Sequence, residues 1–221
     1  MDYGSILAKY ALDIDAIKIN AKNPFTWVSG FKMPIYTDNR VFLSRPECRK
    51  LIARGFMNIL KSKNIDCDII AGVATSGIPF AATLADLMNK PLIYVRAKSK
   101  DHGTKKTIEG VGNISEIKGK SVVLIEDLIS FGTNSIPCVQ EIRNAGGICN
   151  YCLVIFDYEF EVGVSAYNEI ECKKISLLNY ETLLDVFKNE KKSGTEEEEI
   201  LREWRKDPLR WGEKHGFKKV E

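Results

Sequence analysis

The sequence predicts an α/β fold in which helices cover a mainly parallel sheet. Short apolar runs alternate with segments of helical periodicity, which is typical of βαβ units. The apolar runs carry no polar alternation, as expected for strands that are buried on both faces. With 221 residues, 44% of them hydrophobic, the chain is long enough to form one sizeable core.

The core elements are expected in a regular order along the chain. Strands are predicted at 68–74, 91–95, 121–125, 146–157 and 175–180, and helices at 46–63, 78–90 and 135–145. The pattern indicates a core domain over residues 46–190. Within it, residues 96–118 are polar and nearly free of large apolar side chains, and a connection of that length is usually functional or flexible.

Two flanking regions differ from this core. Residues 1–45 combine a predicted helix at 1–12 with an aromatic segment at 25–40 that is typical of a β-hairpin or a lid. Residues 191–221 are a charged tail, expected to form a solvated linker and then an amphipathic helix. Trp204 and Trp211 in this helix should pack back onto the core or lie at an interface.

Composition argues against several classes of partner. The formal net charge is +2, from 32 basic and 30 acidic residues, which does not indicate a nucleic acid or a membrane surface. No apolar stretch is long enough to span a bilayer, and the N-terminal residues lack a signal-peptide pattern. Six scattered cysteines are consistent with reduced thiols, so we expect a cytoplasmic protein.

Cys149 and Cys152 form a C-x-x-C, which in other contexts is a redox pair or half of a zinc site. The segment is predicted to be a strand, where residues three apart point to opposite faces. No second cysteine pair or histidine pair completes a metal site, because the only histidines are His102 and His215. We therefore expect structural thiols.

Two adjacent carboxylates, Glu126 and Asp127, follow the apolar run VVLI. Ligands of an open parallel sheet bind beyond the carboxyl ends of its strands. Carboxylates accept hydrogen bonds from hydroxyls, and the small residues of 130–135 can place N–H groups around an anion at a helix N-terminus. The stretch suits a sugar phosphate, although a polar turn with an N-cap at Thr133 or Ser135 explains it equally well.

Two more segments favour the sugar phosphate. The polar loop carries a group of cationic or titratable side chains: Arg96, Lys98, Lys100, His102, Lys105 and Lys106. Such a loop can close over a charged leaving group and exclude water. The turn GVATSGIP at 72–79 leads from a strand into a helix through small residues, so it is a further candidate anion cradle, although alone it is more simply an ordinary βα turn.

Four segments resemble, in sequence, order and spacing along the chain, the type I phosphoribosyltransferases, and within them the orotate phosphoribosyltransferases. IEDLISFGTNS resembles their motif for 5-phosphoribosyl 1-pyrophosphate (PRPP), and GVATSGIP their pyrophosphate loop. RAKSKDHG, followed by IEG, resembles the flexible catalytic loop, and FTWVSGFKMPIYTDNR the N-terminal hood. The resemblance spans roughly 25–157 and implies a parallel-sheet core with an α+β hood and a long flexible catalytic loop.

The resemblance implies a reaction in which orotate and PRPP give orotidine 5′-monophosphate and pyrophosphate, a step in the synthesis of UMP. It implies Mg²⁺ carried by PRPP, with no direct protein ligand, and an oxocarbenium-like transition state at the ribose C1. It also implies a homodimer in which Lys100 and His102 reach the neighbouring subunit's site.

The resemblance assigns roles to residues of this sequence. Lys100, His102, Glu126 and Asp127 would be catalytic, with the two acids on the ribose 2′ and 3′ hydroxyls. The 5′-phosphate would be surrounded by Ser130, Phe131, Gly132, Thr133 and Asn134, and Leu128 and Ile129 of the same motif would also contact PRPP. Pyrophosphate would contact Val73, Ala74, Thr75 and Ser76, and its charge would be neutralised by Arg96, Lys100 and His102.

The expected base contacts depart from the family pattern. Many family members carry a lysine at the position of Ala97, and some carry a lysine or arginine where this chain has Val28, Ser76 and the region around Tyr158. We therefore nominate Lys32 and Arg40 for the orotate carboxylate. Ser130 and Tyr158 complete the predicted base site. Tyr36 either stacks on the pyrimidine or simply packs in the hood.

Two alternatives stay open. A transferase for a purine or another base would share the fold, although the K-x-H-G loop and the hood argue against it. A non-catalytic PRPP-sensing regulator is the other, and it would be expected to show a basic surface or an added DNA-binding segment. The near-neutral charge and the cationic loop disfavour this regulator.

Overall fold

The computed structural model describes residues 1–98, 106–191 and 195–220, and within them the predicted α/β architecture is confirmed. The strands are β1 (Ile17–Ile19), β2 (Phe25–Thr26), β3 (Lys32–Met33), β4 (Ile35–Thr37), β5 (Ile69–Val73), β6 (Leu92–Val95), β7 (Ile108–Glu109), β8 (Ser121–Ile129), β9 (Ile148–Asp157) and β10 (Lys173–Asn179). The α-helices are α1 (Tyr3–Asp13), α2 (Pro46–Ser62), α3 (Ile78–Met88), α4 (Ser135–Asn144), α5 (Glu161–Glu169), α6 (Tyr180–Lys191), α7 (Thr195–Lys206) and α8 (Pro208–Lys214).

The central sheet has the strand order β10-β9-β8-β5-β6-β7. The first five strands of that order are mutually parallel, so their carboxyl ends meet at one edge of the sheet. Buried side chains form one core cluster that includes α2 and α3 and another that includes α4, which places helices on both faces. The two-residue strand β7 was not predicted, because it pairs antiparallel to β6 from within the polar connection.

β8 is longer than the sequence indicated. It was expected to end at residue 125, but it continues through both carboxylates to Ile129. The reason is unequal pairing on its two sides. β5 accompanies β8 only as far as Ile125, whereas β9 pairs with it up to Ile129. Residues 126–129 of β8 therefore have no neighbouring strand on the β5 side, and this part of β8 is a free edge.

The C-x-x-C pair is buried on one face of β9, so the expectation of opposite faces is wrong. The register of β9 against β8 shifts between Ile148 and Tyr151, where three β9 residues span two of β8. This extra residue restores Cys149 and Cys152 to the same side, and both belong to the same core cluster. All six cysteines are free and buried, and the described residues contain no cluster of ligands suited to a metal.

The N-terminal region forms a hood above the sheet. α1 leads into β1, which pairs with β4, and the β2–β3 hairpin lies between them. A 3₁₀ helix at Asn39–Ser44 follows, and α2 begins at Pro46, where proline's missing N–H costs nothing.

The C-terminal region is more structured than the predicted linker and single helix. After α6, the described residues form the two helices α7 and α8, and Trp204 and Trp211 are at most 1% exposed. One core cluster contains residues of the hood, the core and this tail. The domain boundaries at residues 45 and 190 therefore stay predictions. Among the described helices, none has the length and apolar character needed to cross a membrane.

Candidate active site

The carboxyl edge of the sheet gathers four connections under the hood. β5 leads into 74–77, β6 into the connection that starts at Arg96, β8 into 130–134, and β9 into 158–160. This is the edge at which parallel sheets bind ligands. It brings the segments selected from the sequence together, apart from Lys100 and His102, which lie outside the described residues together with Lys105.

Glu126 and Asp127 form an interacting pair at the free edge of β8. Glu126 is 3% exposed, and its Oε1 accepts a hydrogen bond from the Asp127 N–H at 3.0 Å. Burial, and then the neighbouring charge of Asp127, raise the pKa of Glu126 well above its usual range. Burial also raises the pKa of Asp127, against the opposing effects of Glu126 and Arg40. The pair therefore binds protons more tightly than exposed carboxyls do, and can both donate to and accept from a diol.

Asn39 was not among the residues selected from the sequence, yet it ties the hood to this pair. Its side chain is 1% exposed, and its Nδ2 donates to the Asp127 carbonyl at 2.6 Å. The Asn39 Oδ1 is buried and has no hydrogen-bond partner among the described residues. The only sequence signal for Asn39 is its position between two charged residues in the D-N-R run.

Arg40 lies on the surface beside the acids. Its Nε and Nη2 donate to the two carboxylate oxygens of Asp38 at 2.7 and 2.9 Å, and its side chain is 61% exposed. The hydrogen bond from Arg40 is the main reason that the pKa of Asp38 is lowered. Arg40 thus adds positive charge near Asp127 and is already paired.

The connection from β8 to α4 has the form of an anion cradle. Gly132 has φ +79°, a backbone conformation that glycine adopts without cost. Ser135 is buried and accepts a hydrogen bond from the Tyr167 hydroxyl at 2.7 Å, which fixes the start of α4. Thr133 and Asn134 are exposed, and no side chain caps α4. The N-terminal N–H groups of α4 are thus left without a side-chain cap, as an anion site requires.

The turn after β5 packs tightly against β8. A Cβ on Gly77 would lie 2.4 Å from the Ile125 carbonyl oxygen, so only glycine permits this approach. The Ala74 N–H donates to the Val95 carbonyl at 2.8 Å, and the Ala74–Thr75 peptide bond is cis. Thr75 is exposed, Ser76 is half-buried, and the Val73 side chain is buried, which leaves only its main chain available to a ligand.

Arg96 begins the connection after β6. Its N–H donates to the Thr107 carbonyl at 2.9 Å, and its guanidinium lies 5.4 Å from the centre of the Tyr94 ring. The Arg96 Nε is buried without a hydrogen-bond partner among the described residues. A buried N–H of a cation that has no acceptor costs free energy, and a bound anion that accepts a hydrogen bond from it would remove this cost.

A pocket of about 610 Å³ separates the hood from the β8–α4 connection. Its walls are Trp27, Val28, Ser29, Tyr36 and Thr37 from the hood, and Leu128, Ser130, Phe131, Thr133, Asn134 and Tyr158 from the sheet edge. Of the predicted base contacts, Tyr36, Ser130 and Tyr158 line this pocket. Lys32 and Arg40 do not, and the Lys32 Nζ donates to the Thr26 hydroxyl at 2.7 Å.

Tyr158 is held rigidly in this wall. It is fully buried, its hydroxyl shares a hydrogen bond with Thr37 Oγ1 at 2.8 Å, and its ring stacks on Phe160 with centroids 5.2 Å apart. Burial raises the pKa of Tyr158, so its hydroxyl stays neutral. The described residues that line the pocket include no lysine or arginine, so they offer aromatic faces and neutral hydroxyls.

Comparison with known proteins gives a consistent family. The model of the phosphoribosyl transferase domain matches residues 42–185. A Listeria monocytogenes protein named orotate phosphoribosyltransferase is 41% identical over 206 residues, which cover 93% of this chain and 97% of that protein. The solved orotate phosphoribosyltransferase of Aeropyrum pernix superposes with a TM-score of 0.67 at 25% identity, over 82% of this chain and 98% of that one. The UMP synthase of Leishmania donovani gives 0.75 at 27% identity, over 91% of this chain but 42% of that longer one.

The raised pKa of Glu126 predicts a pH-dependent stability difference for Glu126→Gln. An acid whose pKa is raised on folding stabilises the protein below its unfolded pKa and loses this contribution as pH rises through the folded pKa. Glutamine does not ionise. We therefore compare the free energies of unfolding of Glu126→Gln and the unsubstituted protein. Above about pH 4.5 we expect the difference in favour of the variant to increase with pH, by about 1.4 kcal/mol for each unit by which folding raises the pKa of Glu126.

Thermal or urea denaturation across pH 4–8 measures this difference. Glu213→Gln, at an exposed position on α8, is the matched control for the loss of one carboxyl group. A constant difference between Glu126→Gln and the unsubstituted protein at every pH would contradict the prediction.

Proposed function

The chain belongs to the phosphoribosyl transferase family and, within it, to the orotate phosphoribosyltransferases, and on this premise we propose that it transfers the phosphoribosyl group of PRPP to orotate. The products are orotidine 5′-monophosphate and pyrophosphate, so the enzyme is a pentosyltransferase of pyrimidine biosynthesis. The observation that carries the proposal is the continuous placement of three sub-sites along one sheet edge. The carboxyl pair of β8 is followed directly by Leu128, which lines the hood pocket, and then by the anion cradle before α4.

The carboxyl pair fits the ribose. Asp127 and Glu126 would hold the 2′ and 3′ hydroxyls, because a partly protonated pair both donates and accepts hydrogen bonds. As the bond from C1 to pyrophosphate breaks, positive charge develops on the ribose ring. The negative charge of the pair opposes it, and burial strengthens this effect, since charges interact more strongly away from water.

The 5′-phosphate would lie on the connection from β8 to α4. The uncapped start of α4 offers backbone N–H groups, and the exposed Thr133 and Asn134 add a hydroxyl and an amide. This anchor is remote from C1 and undergoes no chemical change. Its binding energy therefore serves to orient the ribose against the base.

The leaving pyrophosphate would lie between the turn at 74–76 and Arg96. Arg96 contributes a cation with an uncompensated buried Nε, and Thr75 contributes an exposed hydroxyl. We propose that Lys100 and His102 complete the neutralisation from the loop, as the family resemblance implies. Mg²⁺ would be carried by PRPP, without a direct protein ligand, and would neutralise further charge on the leaving pyrophosphate.

Orotate would occupy the hood pocket. Its flat ring suits the aromatic wall that Tyr36 and Trp27 help to form, and the hydroxyls of Thr37 and Ser130 can donate to its polar edge. Lys32 and Arg40 are the proposed cations for its carboxylate. Lys32 donates a hydrogen bond to Thr26, and Arg40 donates one to Asp38. Orotate would therefore have to replace these hydrogen bonds or share the donor with them.

We further propose that the active unit is a homodimer that shares the catalytic loop, and that it works in the cytoplasm. The dimer follows from the family resemblance of the loop around Lys100. The cytoplasmic assignment follows from the six free cysteines, which suit a reducing compartment.

A panel of bases tests the reaction. With PRPP and Mg²⁺ present, we expect pyrophosphate release with orotate and at least about a hundredfold less with uracil, adenine, guanine or hypoxanthine, because the pocket is shaped for a polar-edged pyrimidine. Turnover with a purine but not with orotate would identify the alternative transferase. PRPP binding without turnover of any base would identify the regulator.

Mixed dimers test the sharing of the loop. Lys100→Ala and Asp127→Ala should each lower turnover by about 10²–10³, since each removes a contact to a developing charge. In an equimolar, fully exchanged mixture, half of the dimers are heterodimers with one intact site. Activity should return to about a quarter of that of the unsubstituted enzyme. If mixing restores no activity although exchange is demonstrated by mass, the loop acts within its own subunit.

A further inference from the structure

Residues 195–220 form a strap that crosses the outside of the hood. The strap contains α7, α8 and the following residues up to Val220. It lies beyond residues 42–185, the part of the chain that the family model matches. No part of the mechanism proposed above uses it, and the sequence left its role open.

Trp204 of the strap supports the back of the pocket wall. It is fully buried, and its indole Nε1–H points to the Met33 sulfur at 3.1 Å. Its ring meets Tyr158 edge-on at 5.5 Å and Trp27 at 6.2 Å between centroids. Trp27 and Tyr158 both line the pocket, so one strap residue contacts the two aromatic walls from behind.

The strap also touches the β2–β3 hairpin directly. α8 approaches so closely that a Cβ on Gly212 would lie 3.0 Å from the Lys32 carbonyl oxygen. The Val220 N–H donates to the Gly30 carbonyl at 2.9 Å, at the tip of the hairpin. Lys219 places its ammonium 4.4 Å from the centre of the Phe31 ring.

Ion pairs fix the strap to the body of the protein. Arg205 of α7 pairs with Glu181 at 2.5 Å and with Glu159 at 3.2 Å. Arg202 pairs with Glu181 at 2.6 Å. Glu181 lies on α6 and Glu159 follows β9, so the strap joins the hood hairpin to the sheet edge on which the proposed phosphate and ribose sites stand.

The hairpin needs such support. β2 and β3 have two residues each, and a two-stranded hairpin of that length is not stable in water by itself. Packing against an apolar surface is what orders such an element. Trp204 and α8 supply that surface on the side away from the pocket.

We propose that the strap is a positioning element for the base site, with Trp204 as its main positioning residue, and that it sets the affinity for orotate without contacting orotate or PRPP. The proposal rests on the function proposed above. It predicts that damage to the strap raises the KM for orotate and leaves the KM for PRPP unchanged, because the ribose and phosphate contacts lie on the sheet edge.

Two mild substitutions test this in the full-length protein. Trp204→Phe keeps an aromatic ring but loses the indole N–H and part of the contact with Tyr158 and Trp27. Gly212→Ala adds a methyl group that pushes α8 away from β3. Arg210→Ala is the matched control, at an exposed position of the same helix. Steady-state kinetics give both KM values and kcat, and hydrogen exchange gives the protection of the hairpin amides.

We expect both variants to raise the KM for orotate about tenfold, with the KM for PRPP changed less than about twofold, and to speed exchange at 25–33; Arg210→Ala should change none of these. An equal rise of both KM values, or an unchanged KM for orotate despite faster hairpin exchange, would overturn the proposal. If the unsubstituted enzyme does not use orotate, the proposed function fails. In that case hydrogen exchange of the hairpin amides alone tests the role of the strap. Unaltered exchange in both variants would overturn the proposal that the strap positions the hairpin.

Discussion

The hydrogen bond from Asn39 Nδ2 to the Asp127 carbonyl joins two parts of the chain that are 88 residues apart. This hydrogen bond is important because of the pairing of β8. β8 extends beyond the last residue that β5 pairs with, so its final residues, which include the two carboxyls, have an unpaired edge. Asn39 occupies that edge from the hood side. The same contact satisfies a main-chain acceptor and holds the hood against the part of β8 that carries Asp127.

The site is built at a cost in stability. Burial raises the pKa of both Glu126 and Asp127, which means that folding disfavours their charged forms. The buried Asn39 Oδ1 and Arg96 Nε have no partners among the described residues, and such groups are rare in folded proteins because each costs free energy. A ligand that brings diols and phosphates would complete several of these contacts together. The binding of PRPP should accordingly stabilise the fold as well as start the reaction.

The sequence predicted the parts of this structure that depend on local pattern. Each of the five parallel strands contains an apolar run, and the carboxyl pair and the small-residue turns follow such runs directly, so the location of the candidate site could be predicted from the order of residues. The parts that were missed depend on contacts between distant segments. The bulge that turns Cys149 and Cys152 to one face arises from pairing with β8, and β7 is too short to leave a pattern. Asn39 and Trp204 gain their roles only when the hood, the sheet edge and the tail come together, and a buried amide or indole has no sequence signature of its own.

The proposed ribose site depends on the hood through the contact between Asn39 and Asp127. Measuring PRPP affinity in Asn39→Ala by isothermal titration calorimetry tests this dependence. Asn20→Ala serves as the control, since Asn20 is also in the N-terminal region but its side chain makes a local hydrogen bond, in which Oδ1 accepts from the Asn23 N–H. We expect Asn39→Ala to stay folded and to bind PRPP about tenfold more weakly, an effect of about 1.4 kcal/mol that is typical of one buried hydrogen bond. Unchanged PRPP affinity in a folded Asn39→Ala variant would contradict this expectation.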